Sequence, residues 1–173
     1  LVDIESITGN ELAVGQHLGV ILQDLCARFN GRFETFEVEP NRFNLLATWG
    51  GPAVTFSTHI DTVPPFFPSR EDDEFIWGRG ACDTKGIQAS MLKAMEGLLE
   101  AGARGLAMLL VVGEERNSVG AYFMSKQPRG SKYLINGEPT ENQLALGSKG
   151  ALRIEIEASG RMAHSAYPEL GES

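Results

Sequence analysis

The chain has 173 residues, 42% of them hydrophobic and 22% charged, with 15 Lys+Arg against 23 Asp+Glu and a formal net charge of -8. This balance excludes disordered and collagen-like architectures and argues against nucleic acid as a partner, which a basic face would attract. No apolar run approaches the ~20 residues of a membrane-spanning helix, so no membrane partner is expected. No basic-then-apolar leader opens the chain, and two cysteines, Cys26 and Cys82, cannot build a disulfide framework; the expected location is a reducing cytoplasm.

Both ends read as cut: Leu1 stands where a Met is expected, and the chain stops at Glu172-Ser173 just past a His-containing loop. Thr8-Gly9-Asn10 predicts a helix start, with Thr8 or Asn10 as cap and Glu11 in the first turn. Leu12, Leu18, Ile21, Leu22 and Leu25 continue at helical spacing to a stop at Asn30-Gly31. Short strands are expected over 33–38 and 44–49, separated by Pro40 and followed by the Gly50-Gly51-Pro52 break. A buried strand over 53–57 runs into Thr58-His59-Ile60-Asp61. A Pro-rich loop over 63–68 and an acidic stretch over 71–74 lead to Trp77-Gly78-Arg79-Gly80. After Asp83, the positions Ile87, Met91, Ala94, Leu98 and Leu99 mark one face of an amphipathic helix that Gly102 closes. Residues 106–112 form the continuous apolar run of a buried parallel strand. Glu114-Glu115, a helix over about 118–126 and a strand over 133–135 follow. The alternation of strand and helix predicts an α/β fold. From Leu144 the texture changes: residues 151–157 alternate apolar and charged side chains, the pattern of an antiparallel strand with one wet face. A domain boundary is expected near residue 147, so that residues 147–173 are only the start of a second domain.

His59, Asp83, Glu114, Glu115 and Glu138 each fall just past a predicted strand end or in a loop opening a helix. In an open α/β sheet that edge is where ligands bind, and it would gather these distant segments. His59 and Asp61, two apart in an extended segment, share a face, so Asp61 can orient the His59 ring. One histidine among several carboxylates suits a hydrolytic zinc site, and a carboxylate can bridge two ions. Two cations would also relieve the repulsion among acids crowded at one edge. Taken singly, each residue has a plainer explanation as an exposed loop group, and Glu114-Glu115 as a helix start favoured by the dipole. Their coincidence on successive strand ends is what points to a metal. His17, inside a helix, reads as structural, and Cys82 as a small packing residue.

The segments Ser57-Thr58-His59-Ile60-Asp61-Thr62-Val63-Pro64, Gly78-Arg79-Gly80-Ala81-Cys82-Asp83-Thr84-Lys85-Gly86, Gly113-Glu114-Glu115 and Gly137-Glu138-Pro139-Thr140 occur in that order. In this the chain resembles the family of acetylornithine deacetylase, succinyl-diaminopimelate desuccinylase, aminoacylase and glutamate carboxypeptidase, the co-catalytic zinc amidohydrolases. The likeness extends from the Ser6-Ile7-Thr8-Gly9-Asn10-Glu11 opening to Ala163-His164-Ser165. It implies a mixed, mostly parallel sheet flanked by helices over 1–146, the N-terminal part of a zinc-dependent catalytic domain. Residues 147–173 would begin an α+β lid or dimerisation domain. The resemblance also implies roles. His59 would bind one zinc with Asp61 orienting it, Asp83 would bridge two zincs through a site whose Asp83-Thr84 peptide is cis, Glu115 would bind the second zinc and Glu138 the first. Glu114 would serve as general base and then as proton donor to the leaving amine. His164 would reach across a homodimer interface to stabilise an oxyanion in the neighbour's site. Zinc is the metal implied, with cobalt and manganese as alternatives.

Family members are about twice as long and carry a C-terminal histidine for the second zinc, and no histidine follows His164. The second position is therefore expected to be incomplete, and this piece inactive alone. The leading expectation for the whole protein is hydrolysis of an N-acyl amino acid, with a dipeptidase or carboxypeptidase acting on short peptides as the alternative. A metal-free binding or regulatory relative is the reading from another class; the presence of Glu114 and of every expected ligand in the covered region weighs against it.

Overall fold

Helix α1 (Leu12–Phe29) buries Val14, Leu18, Leu22, Leu25 and Cys26 along one face, the stripe expected of an amphipathic helix on a core. It belongs to a computed structural model that describes residues 1–172 other than Ala151, Arg153 and Ala158. Its stop is the predicted one: Asn30 takes the left-handed conformation at φ 54°, and the Gly31 amide bonds back to the Cys26 carbonyl. Its start differs from the prediction. Glu11 occupies the cap position without a side-chain cap bond, because the Thr8 hydroxyl is committed to Asp61 and the Glu11 carboxylate to Arg42.

Strands β1 (Arg32–Glu39) and β2 (Arg42–Trp49) form an antiparallel hairpin. β3 (Val54–His59), the two-residue strands β4 (Arg70–Glu71) and β5 (Ile76–Trp77), helix α2 (Lys85–Glu100), β6 (Leu106–Val111), helix α3 (Val119–Ser125) and β7 (Tyr133–Asn136) follow. The main sheet has the order β1-β2-β6-β3-β7, with β3 parallel to both β6 and β7 and the β1-β2 and β2-β6 pairings antiparallel. This is the mixed α/β sheet flanked by helices that the element pattern and the resemblance lead one to expect.

Alternation along the central strands divides the sheet's two faces. Leu45, Ala47 and Trp49 of β2 and Leu106, Met108 and Leu110 of β6 join the larger core with α1 and α2, whereas Leu46 and Ala107 join Met124 of α3 in a smaller cluster. β7 forms one edge of the sheet, and its Tyr133, Leu134 and Ile135 are exposed. The acidic stretch over 71–74 turns through the small β4-β5 hairpin, which Asp72 closes by accepting bonds from the amides of Glu74 and Phe75 and from the Trp77 indole.

The chain divides into two compact units, Leu1–Asn142 and Gln143–Ser173. The strand expected over 151–157 includes Ala151 and Arg153, which lie outside the described residues; its other members, Leu152 and Ile154–Glu157, are in no strand. An amphipathic strand is stable only beside a ladder partner; among the described residues of this unit, Arg161 forms an antiparallel bridge with Glu172. A short 3-10 turn, Pro168–Leu170, follows His164. Among the described residues no helix is long and apolar enough to cross a membrane.

Candidate metal centre

Three parallel strands end on the same edge, and their register brings the acidic residues together. Ser57 of β3 pairs with Asn136 of β7, and His59 with Val111 of β6. Two residues beyond Ser57 is His59, and two beyond Asn136 is Glu138, so the two end side by side. Just past Val111 the chain turns at Gly113, whose φ is +76° and whose Cβ, if present, would lie 2.8 Å from Val119 Cγ1 and 2.9 Å from Arg42 Nη2. Only glycine meets both demands at low cost. The turn delivers Glu114 and Glu115 to the edge, and Asp83 arrives from the loop that opens α2.

The donor atoms converge. His59, Asp83 and Glu115 each offer one ligand atom, all within 4.8 Å of one another. His59 Nε2 lies 3.0 Å from Asp83 Oδ1 and 3.8 Å from both Glu114 Oε2 and Glu138 Oε2. The Asp83-Thr84 peptide is cis. Thr84 Oγ1 and Gln88 Nε2 donate to the His59 carbonyl at 2.8 and 2.7 Å, tying the start of α2 to the end of β3. On the opposite side of the turn, the buried Asn44 side chain donates to the Gly120 carbonyl at 2.8 Å and accepts from the Val112 amide at 3.0 Å.

The ring of His59 is buried and oriented. Its Nδ1 lies 2.9 Å from the Asp61 backbone carbonyl and 3.4 Å from the Asp61 carboxylate. A carbonyl only accepts, so Nδ1 carries the hydrogen, and Nε2 faces the acids, a donor to them while the ring is protonated and a lone pair once it is neutral. The sequence assigned orientation to the Asp61 side chain; the closer contact is made by its backbone, and the carboxylate bonds chiefly elsewhere. Fully buried, Asp61 accepts from the Glu114 and Glu115 amides at 3.0 and 3.2 Å and from the Thr8 hydroxyl at 2.7 Å.

The electrostatics are those of a crowded anionic pocket. Burial opposes charge on the His59 ring, but the bond to Asp61 and the fields of Asp61, Glu138 and Glu114 outweigh it and push the ring up to about 9. Burial, then the neighbouring Asp83 charge, raises the Glu115 carboxyl. Burial likewise raises Glu138, with Glu114 and Asp83 adding to it against the opposing His59. Burial also works to raise Asp61, but bonds from His59 and Thr8 hold it below the usual carboxylate range. Without a cation, this group keeps protons that repulsion makes hard to shed. A divalent cation supplies the missing positive charge, and one imidazole nitrogen with several carboxylate oxygens is a donor set that divalent hydrolytic metals accept. The residues fit a metal.

The other sequence assignments fall as follows. His164 lies in the second unit, exposed, where its Nδ1 accepts from the Ala166 amide at 3.2 Å. His17 is exposed on α1, Cys82 is exposed and Cys26 is buried. From sequence, Thr8 was expected only as a helix cap, and Arg42, Asn44 and Gln88 were given no role. Thr8 sits in the Ser6–Glu11 opening that contributes to the resemblance, so the signal for it was present; the other three are set by contacts between distant segments.

Fold and site together define a class: an α/β protein with a carboxylate-rich candidate metal centre where parallel strands end. Residues 55–169 match the family model described as Peptidase family M20/M25/M40. A probable carboxypeptidase of Aspergillus clavatus is 38% identical over 192 residues, an alignment covering 100% of this chain and 45% of that protein. The chain belongs to peptidase family M20/M25/M40. It spans about half the length of the curated relatives it matches. Among solved structures, a tripeptidase from Staphylococcus aureus superposes with a TM-score of 0.62 at 21% identity, covering 98% of this chain and 50% of that one. A dinuclear metal binding peptidase of the M20 family from Bacillus subtilis gives 0.54 at 14% identity, covering 79% and 39%. Both share the fold.

Proposed function

We propose that the whole protein is a zinc-dependent exopeptidase of the carboxypeptidase type, which releases a free amino acid by hydrolysing the amide that precedes it. The observation that carries this is the convergence of His59, Asp83 and Glu115 within 4.8 Å, with Glu114 and Glu138 beside them. The curated relative at 38% identity is named a probable carboxypeptidase, which favours peptide substrates over the N-acyl amino acids expected from sequence. The two substrate classes share the scissile amide and the leaving amino acid; they differ in how much chain lies on the acyl side.

In this reading His59, Asp83, Glu115 and Glu138 hold two ions. The chemistry such ions supply when bound is Lewis acidity, which polarises an amide carbonyl and acidifies water. His59 is aimed because its Nδ1–H is held at the Asp61 carbonyl, and at Nε2 the proton that the surrounding acids favour would give way to a bound cation. Glu114, whose side chain is 42% exposed, has the access needed to take a proton from water and pass it to the departing amine. Its backbone amide on Asp61 keeps the base in place. From the resemblance the same reading takes over a homodimeric whole protein with His164 serving the neighbouring copy, and from the cysteine usage a reducing cytoplasm as its location.

The test is to assay the zinc-loaded full-length protein on N-blocked dipeptides and on N-acetyl and N-succinyl amino acids, with Glu114→Gln in parallel. Release of the C-terminal residue from the peptides is expected, and Glu114→Gln is expected to lose about 10²–10⁴-fold in kcat while keeping its metal. Faster turnover of the acyl amino acids would move the assignment to a deacylase. Absence of turnover on every substrate, or a fully active Glu114→Gln, would refute the mechanism.

A further inference from the structure

We infer that Thr8 is a positioning residue of this site, its hydroxyl fixing the Asp61 carboxylate in the one orientation that joins the His59 ring to the Glu114–Glu115 turn. The inference rests on the metal-hydrolase reading above and extends it to a residue 53 positions from the carboxylate it holds.

Asp61 is the hub. Its Oδ2 receives the Thr8 hydroxyl at 2.7 Å and the Glu115 amide at 3.2 Å, while Oδ1 receives the Glu114 amide at 3.0 Å and lies 3.4 Å from His59 Nδ1. The carboxylate therefore touches the imidazole on one side and, on the other, the backbone of two acids that the centre uses. A carboxylate free to rotate about χ2 could satisfy the two amides in more than one way. The Thr8 bond, the shortest of these contacts, selects between them. Asp61 itself is wholly buried.

Thr8 is itself fixed. Its amide donates to the Thr62 carbonyl at 3.1 Å, the Thr62 amide donates to the Ser6 carbonyl at 2.9 Å, and Ile7 forms a parallel bridge with Thr62. One turn further, Glu11 accepts from the Gly9 amide and is gripped by Arg42. The segment from Ser6 to Glu11 is thus pinned at both ends, and the hydroxyl is delivered to Asp61 by backbone that cannot drift. Groups that orient a metal-ligating histidine from behind are worth about 10–100-fold in metal affinity when removed, and Thr8 stands one bond behind such a group.

The experiment measures zinc affinity of the metal-stripped full-length protein by competition with a chromogenic chelator. Thr8→Val keeps the shape and removes the hydroxyl; Thr8→Ser keeps the hydroxyl; Thr8→Val is also placed in an Asp61→Asn background. Thr8→Val is expected to weaken zinc binding by about 10–100-fold, Thr8→Ser to retain wild-type affinity, and Thr8→Val to add no further loss once Asp61 is Asn. Thr8→Ala reports the same quantity if the valine is not accommodated. Wild-type affinity in Thr8→Val or Thr8→Ala, or an undiminished loss in the Asp61→Asn background, overturns the role assigned to Thr8 while leaving the metal-centre reading intact. A wild-type protein that binds no zinc overturns that reading, and this inference with it.

Discussion

Replacing Arg42 with leucine is expected to cost about 3–5 kcal/mol of folding stability. Arg42 Nε donates to Glu11 Oε2 at 2.8 Å, Nη2 to Glu11 Oε1, and Nη1 to Glu39. The Glu11 side chain is 0% exposed and that of Arg42 10%. Losing the guanidinium strips two charge-assisted bonds from a carboxylate that water cannot reach, and leaves it the Gly9 amide at 3.0 Å. Hydrogen bonds to charged groups contribute about 1.5–3 kcal/mol each. Two of them give about 3–6 kcal/mol, which overlaps the range for breaking a buried pair from one side. The Glu39 contact, on a half-exposed carboxylate, adds about 1 kcal/mol at most. Urea unfolding followed by far-UV circular dichroism measures the loss, alongside Glu11→Leu and the double variant. The double variant is expected to recover most of the stability, since two apolar side chains leave no charge stranded. A loss below about 1 kcal/mol in Arg42→Leu, the level of a surface pair, would refute the reasoning. So would a double variant as unstable as the two single losses added together.

Two further outcomes follow from packing and burial. Gly31→Ala would place a Cβ 2.5 Å from Trp49 Nε1, 2.7 Å from its Cδ1 and 3.0 Å from Cys26 Sγ. Trp49 is fully buried and cannot swing aside, so a loss of about 1–3 kcal/mol and a shifted tryptophan emission are expected; an unchanged melting temperature would contradict the packing. Burial raises the Cys26 thiol, with the Thr48 backbone bond opposing it. A thiol raised in the folded state binds more protons than its unfolded counterpart above about pH 8.5, so stability holds below that value and falls as pH rises toward the folded pKa. In Cys26→Ala this component of the decline should vanish, and a pH profile parallel to wild type between pH 8 and 10 would count against it.

Much of the centre was legible because its geometry follows from periodicity. A strand that runs parallel to its neighbour ends where the neighbour ends, so His59, Glu114, Glu115 and Glu138 could be placed on one edge before any contact was known. What escaped was the layer behind. Thr8 and Asn10 were expected to cap α1, since a local pattern shows which residues can cap a helix but not whether a distant group claims them first. Asp61 claims the Thr8 hydroxyl and Arg42 claims the Glu11 carboxylate, and α1 begins without a side-chain cap. Arg42, Asn44 and Gln88 likewise act across 29 to 76 residues of sequence, a separation at which no local period carries information. The alternation over 151–157 includes Ala151 and Arg153, which lie outside the described residues; its described members Leu152, Ile154 and Ile156 expose their apolar side chains.

The β7 border of the sheet bears on how the molecule behaves in a tube. Among the described residues no strand pairs with its outer row of amides and carbonyls, and tyrosine, leucine and isoleucine stand exposed along it. No lysine, proline or bulge within those four residues blunts it, so it is a template on which a second chain could add itself. Concentrated preparations of this polypeptide should therefore self-associate through that rim, and a charge introduced at Leu134 should keep them dispersed.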